Sequence, residues 1–195
     1  MAIDKQQSLF TVSEQRALIG WGKSQATLEL NQDGLQAWKA AIAQHQQQVK
    51  TSQTPQQGNL FDLASTTVDE TRIDPFSLKL HNFHFFEWPA DQHPSTPCIY
   101  FVIDIKLPLL LYVGETCKAN QRWKGVHDCK RYVLNYQSLH RKCDLPTAVN
   151  TAFWWDTPAE TRLRLNLEAA LISRWRSPFN KENWRFWGTP FVGKR

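Results

Sequence analysis

The chain has 195 residues, 42% apolar and 21% charged, the usage of an ordinary globular domain that buries roughly 70% of its unfolded surface without staples. Wholesale disorder and collagen-like structure are excluded, and the longest apolar runs, such as Leu107 to Val113, fall well short of the roughly 20 residues of a membrane helix. The net charge of +5 is unevenly divided: residues 1–114 carry 8 Lys+Arg against 11 Asp+Glu, a net −3, and residues 115–195 carry 15 against 7, a net +8.

The first ten residues, MAIDKQQSLF, show neither the basic start nor the apolar stretch of a secretory signal. A cytoplasmic protein is expected, with Cys98, Cys117, Cys129 and Cys143 as reduced thiols. After this arm, Thr11 and Glu14 fit a capping box, which predicts a helix from Ser13 to about Trp21. A second helix is predicted from Asp33 to Val49, with Leu35, Trp38, Ile42 and Val49 on one stripe. Residues 1–50 thus read as an arm and a helical hairpin, and residues 1–75 together are acidic overall. Residues 51–74 read as a linker, beginning with the polar TSQTPQQG, and 13 of the 16 glutamines precede residue 58. The bland meaning of that bias is weakly structured, well-solvated sequence.

Residues 75–195 read as the main domain. Its lead-in, 75–97, is aromatic and broken by prolines, an extended segment that packs on the rest of the domain. Ile99 to Ile105 is rich in β-branched and aromatic residues, Pro108 marks a turn, and Leu110 to Gly114 returns, which predicts a hairpin. A helix over 119–137 and a strand from Val149 to Trp155 come next. Thr157-Pro158-Ala159-Glu160 then reads as a helix start, with a Thr cap and Pro at the first position, for a helix running to about Trp175. The tail, 177–195, is Trp-rich and irregular. The expected class is α+β: a small central antiparallel sheet of order β-β-α-β-α, flanked by helices, with an N-terminal helical extension.

The basic part also holds six of the nine tryptophans, and excess positive charge interleaved with aromatics suits a nucleic acid. Lys118, Arg122, Lys124, Lys130, Arg131, Arg174 and Arg176 are the cations expected to meet phosphates. Two tyrosines, Tyr100 and Tyr112, come from the two hairpin strands, and Gly114 permits close approach. Arg122 opens the next helix and can clamp a phosphate with two donors. Glu168 is a lone acid among Arg162, Arg164, Arg174 and Arg176, which suits Mg²⁺, an ion that often takes only one or two protein carboxylates. Taken singly, each has an ordinary structural reading: strand tyrosines, a solvated Arg, a Glu paired along its helix.

As a set these residues resemble the GIY-YIG nucleases. Cys98-Ile99-Tyr100 and Tyr112-Val113-Gly114 are similar to the family's paired tripeptides, with Cys for the first Gly and Val for the second Ile. Arg122 follows the second Tyr by ten residues, Glu168 stands on a later helix, and Asn180 comes after it at the spacing of the excision-repair branch. The resemblance spans about residues 97–183. It implies a DNA endonuclease dependent on Mg²⁺ or Mn²⁺, in repair, recombination or restriction. It also implies roles: Glu168 holding the metal, Arg122 stabilising charge on the scissile phosphate, Tyr112 activating or orienting the attacking water with Tyr100 in support, and Asn180 hydrogen-bonding near the metal or substrate. His127, five residues past Arg122, is carried as a further site residue in place of the family's His or Tyr. Glu115 departs from the pattern, standing where the repair branch tends to carry Lys, and adds negative charge near the site. A DNA-binding protein on the same fold without cleavage is the alternative. Zinc at Cys117, His127, Cys129, His140 and Cys143 fits no standard ligand spacing.

Two further segments, Gln6-Gln7-Ser8-Leu9-Phe10 and Gln57-Gly58-Asn59-Leu60-Phe61, resemble the short peptide by which bacterial replication and repair proteins dock on the sliding clamp. In such a peptide the Leu-Phe pair fills an apolar cleft and the Gln amide bonds at its rim. A Gln-rich stretch also produces such pentapeptides by composition alone.

Overall fold

The computed structural model describes residues 30–52, 68–82, 96–116 and 128–188. It is an α+β fold built on a four-stranded antiparallel sheet. The elements run α1 (Gln32–Thr51), β1 (Leu80–Asn82), β2 (Cys98–Asp104), β3 (Leu109–Thr116), α2 (Asp128–Lys142), β4 (Val149–Trp154), α3 (Thr161–Trp175) and a single turn, α4 (Trp184–Trp187). Strand order across the sheet is β1-β4-β2-β3, so β2 is central and β3 lies at an edge. All seven residues of β2 are buried, as a strand covered on both faces requires.

Alternation along β2 divides the core in two. Cys98, Tyr100 and Val102 face a cluster completed by Leu35, Ile42, Leu111, Val133 and Tyr136. Ile99, Phe101 and Ile103 face the other, with Ile73, Val113, Leu167, Leu171 and Trp175. A bulge between Val102 and Ile103 shifts the β2–β3 register by one.

The helix expected over 33–49 is α1, capped by the Asn31 carboxamide, which accepts from the Gly34 N–H at 2.8 Å. It is not an appendage. Leu35 and Ile42 are fully buried in the same cluster as Tyr100, each contributing roughly 1.5–3 kcal/mol of burial. The first helix of the expected hairpin lies outside the described residues. The end of the expected linker is also docked: Asp69 caps the short turn Glu70–Arg72, and Ile73 is wholly buried. Within the aromatic lead-in, Leu80–Asn82 adds an edge strand to β4, pairing Leu80 with Ala152 and Asn82 with Asn150.

The hairpin and β4 form where the pattern places them, and the order β-β-α-β-α holds. Two helix boundaries differ. α2 continues to Lys142, because Leu139 and His140 still face the core. α3 begins at Thr161, four residues after Thr157. The Thr157 hydroxyl does not cap; it donates to the Pro97 carbonyl at 3.1 Å. Arg164 reaches back to the Pro158 and Ala159 carbonyls, at 3.0 Å each, which keeps that stretch out of the helix. The tail is not irregular throughout: Lys181–Asn183 forms a 3₁₀ turn leading into α4. No helix among the described residues is long and apolar enough to cross a membrane.

Candidate active site

The site grows from the hairpin. In the β2–β3 register Tyr100 stands opposite Gly114, and Tyr112 opposite Val102. The two tyrosines are therefore diagonal neighbours on one face, with ring centroids 5.9 Å apart and planes inclined by 31°. Gly114 gives passage to Tyr100 rather than to a ligand: a Cβ there would stand 2.7 Å from Tyr100 Cε1 and closer still to Cζ and Oη. The buried Tyr100 ring lies across the β3 backbone, and Tyr112 is left half-buried beside it.

β3 is an edge, yet its outward backbone groups are met by side chains. Gln46 of α1 donates to the Leu110 carbonyl and accepts from the Leu110 N–H, both at 2.9 Å. The Phe179 N–H donates to the Leu111 carbonyl at 2.9 Å. Asn180 accepts from the Val113 N–H at 3.0 Å and donates to its carbonyl at 2.9 Å. Glu168 accepts from the Glu115 N–H at 2.9 Å. The edge thus fixes where Glu168 and Asn180 stand relative to Tyr112.

These three residues line one open cavity of about 670 Å³, with Asp128, Tyr132, Lys181, Glu182 and Arg185 also on its walls. Asp128 holds Lys181 at 2.9 Å and Arg131 at 3.2 Å. The hydrogen bond and charge of Asp128 raise the Lys181 ammonium above its usual pKa. Asp128 and Tyr132 were not singled out from sequence. The available signal is their four-residue spacing, which puts both on one face of α2.

Asn180 is placed at the cavity, but both ends of its carboxamide are engaged with Val113, and its Oδ1 also accepts from the Ser177 hydroxyl at 2.6 Å. These bonds hold β3 at the cavity wall. Glu115 does not bring uncompensated negative charge to the site. Its carboxylate accepts from Arg164 Nε at 2.5 Å, with Arg164 1% exposed. Arg164 and Glu168, one turn apart on α3, converge on the side chain and the N–H of the same residue.

The expected phosphate-binding cations that fall among the described residues differ in their surroundings. Lys130 is 4% exposed, against the open position expected of a phosphate contact. Arg174 lies 6.0 Å from the Trp175 ring, and its charge is among the influences that lower the Asp69 carboxyl. Arg131 stands by the cavity through Asp128, and Arg176 is stacked over Phe186. Lys118, Arg122, Lys124 and His127 lie outside the described residues, as do Gln6, Leu9, Phe10, Gln57, Leu60 and Phe61.

Glu168 is a carboxylate at this cavity that could hold a metal. Among the described residues no three His, Cys, Asp or Glu side chains cluster to hold an ion. Glu168 nevertheless puts an oxygen donor on the wall of an open, water-accessible space, the setting in which Mg²⁺ keeps most of its waters. Zinc is disfavoured at His140, whose two ring nitrogens contact Lys39 Nζ at 2.9 Å and the Tyr136 carbonyl at 2.8 Å. Cys129 is fully buried, and burial drives its thiol pKa far up. No known family, curated protein or solved structure matches this chain.

Proposed function

We propose that the chain is a GIY-YIG-type endonuclease that hydrolyses DNA phosphodiesters with Mg²⁺ or Mn²⁺, in the cytoplasm, in repair, recombination or restriction. The observation that carries this reading is the convergence of Tyr112, Glu168 and the Asn180-pinned edge of β3 on one open cavity. Glu168 would hold the divalent ion, which when bound offsets charge on the phosphate oxygens. Tyr112 orients the attacking water from the cavity wall, and Tyr100 backs its ring. Arg122, by the family resemblance, would supply a cationic donor for the scissile phosphate. Asn180 and Arg164 hold the frame on which Glu168 is mounted.

The test is nicking by the purified full chain on a panel of plasmid, flap, fork, junction and single-stranded DNA, with and without Mg²⁺. Glu168→Gln is expected to abolish cutting while leaving DNA affinity within about twofold. Undiminished nicking by that variant refutes the site. Binding without cutting of any substrate, in Mg²⁺ or Mn²⁺, favours the alternative of a DNA-binding protein on this fold. The proposed further partner is the sliding clamp, through Gln6–Phe10 and Gln57–Phe61. Phe10→Ala with Phe61→Ala should abolish clamp capture without changing cleavage of naked DNA, and retained capture rejects the docking peptides.

A further inference from the structure

Beside the cavity, α4 presents Phe186, 40% exposed, with two guanidiniums against its ring. Arg176 lies 4.1 Å and Arg185 4.7 Å from the ring centroid. Among the described residues neither has a carboxylate within ion-pair distance, although Arg131, Arg164 and Lys181 all do. Two like charges held at one exposed ring repel each other, and an anion bound to each relieves that repulsion.

The placement is fixed by the backbone. Arg176 ends α3 in the left-handed region, at φ 48° and ψ 48°, where glycine is the usual choice and a long side chain is disfavoured. The Trp187 indole N–H donates to the Arg176 carbonyl at 2.6 Å, so the two arginine-bearing segments are tied together. Trp38 in turn donates to the Trp187 carbonyl at 3.1 Å, anchoring α4 to α1. Arg185 also lines the cavity that holds Glu168 and Tyr112, as does Lys181. Cationic groups therefore run from the cavity wall to the end of α3.

We infer that Arg176, Phe186 and Arg185 form a backbone clamp for the substrate DNA strand where it leaves the cavity, each guanidinium taking one phosphate. Arg suits this because its planar fork serves the ring and a phosphate oxygen together. The inference rests on the nuclease reading for the identity of the polyanion, but it concerns binding, not cleavage.

The experiment measures the affinity of the full chain for a labelled oligonucleotide in chelator, as a function of salt. Each neutralised phosphate contributes about 0.9 to the slope of log K against log salt on duplex, and about 0.7 on single strands. Arg185→Ala and Arg176→Gly are each expected to lower the slope by that amount, and the double variant by about twice as much. Arg176→Gly also relieves the left-handed backbone, so its Tm should hold or rise, and a binding loss cannot then be ascribed to unfolding. Arg185→Lys should restore the slope. Unchanged slopes in both single variants overturn the clamp, even where wild-type cleavage is intact. The expected slope losses in a chain that never cuts DNA uphold the clamp and sink the nuclease reading. No measurable DNA binding by the full chain overturns the clamp as well.

Discussion

Removing Arg164 should do more harm than removing Arg164 and Glu115 together. Arg164→Met keeps the length of the side chain but deletes its bond to Glu115, those to the Pro158 and Ala159 carbonyls, and a 3.3 Å bond to Thr161 Oγ1. The side chains of the pair are 1% and 11% exposed, so water cannot replace the lost partner at Glu115. Breaking a buried pair from one side costs about 3–5 kcal/mol, a large share of a typical total of roughly 5–15 kcal/mol. For a chain of this size that is a fall in Tm of roughly 6–20 °C. Replacing both partners, Arg164→Met with Glu115→Leu, removes the orphaned charge and should cost less than the single change, about 0–2 kcal/mol. The assay is urea unfolding of wild type, both singles and the double, with hydrogen exchange of the amide at position 115 as a local readout. That amide donates to Glu168, so its protection should survive in the double variant. A double whose loss equals the sum of the singles, or an Arg164→Met loss below about 1 kcal/mol, refutes the assignment.

Gly114→Ala should cost about 1–3 kcal/mol by overpacking, since the new methyl overlaps the buried Tyr100 ring. Tyr100→Leu in the same chain should recover part of it, and a Tm unchanged by Gly114→Ala shows that the ring has room to move. His140 is wholly buried, and its pKa is lowered chiefly by burial, with the nearby Lys39 ammonium acting in the same direction. Its folded pKa is thus below the ordinary value of about 6.5, so on acidification the unfolded chain takes up the proton first. His140 should make stability fall as pH drops below about 6.5, by at most about 1.4 kcal/mol per pH unit, and leave it level above. His140→Gln should flatten that part of the Tm–pH curve; an identical curve rejects the role.

The hairpin and the helix over 33–49 were legible because their signals are local. The β-branched run at Ile99–Ile105 and the stripe Leu35, Trp38, Ile42, Val49 need no partner to be read. What escaped depends on partners distant in sequence. Thr157 has every local mark of a helix cap, yet its hydroxyl is committed to Pro97, 60 residues away. Lys130 counts as a surface cation in any tally of charge, and only its place in the fold shows it 4% exposed. Gln46 sits in a Gln-rich stretch that reads as bland solvated sequence, yet it is 1% exposed and pairs both backbone groups of Leu110. At the candidate site, Tyr112 and Glu168 were visible as residue types in an ordered pattern. The tie of Asn180 to Val113 was not, because a carboxamide that serves a backbone is written no differently from one that serves a ligand.

The sealed edge of β3 also bears on how the chain reaches its native state. The β2–β3 hairpin is local and of a kind that forms within microseconds, whereas its covers come from far along the chain: Gln46 from 64 residues away, Glu168 from 53 and Asn180 from 67. Until both flanks dock, Leu109–Thr116 is a bare apolar edge, the form of strand that recruits another chain. Self-association is therefore concentrated in the interval between hairpin closure and the arrival of α1 and α3. One of the late covers is Glu168, so the residue proposed for chemistry also serves as a stopper during folding. Its replacement would show first in refolding yield at high protein concentration, before any change in the native state's Tm.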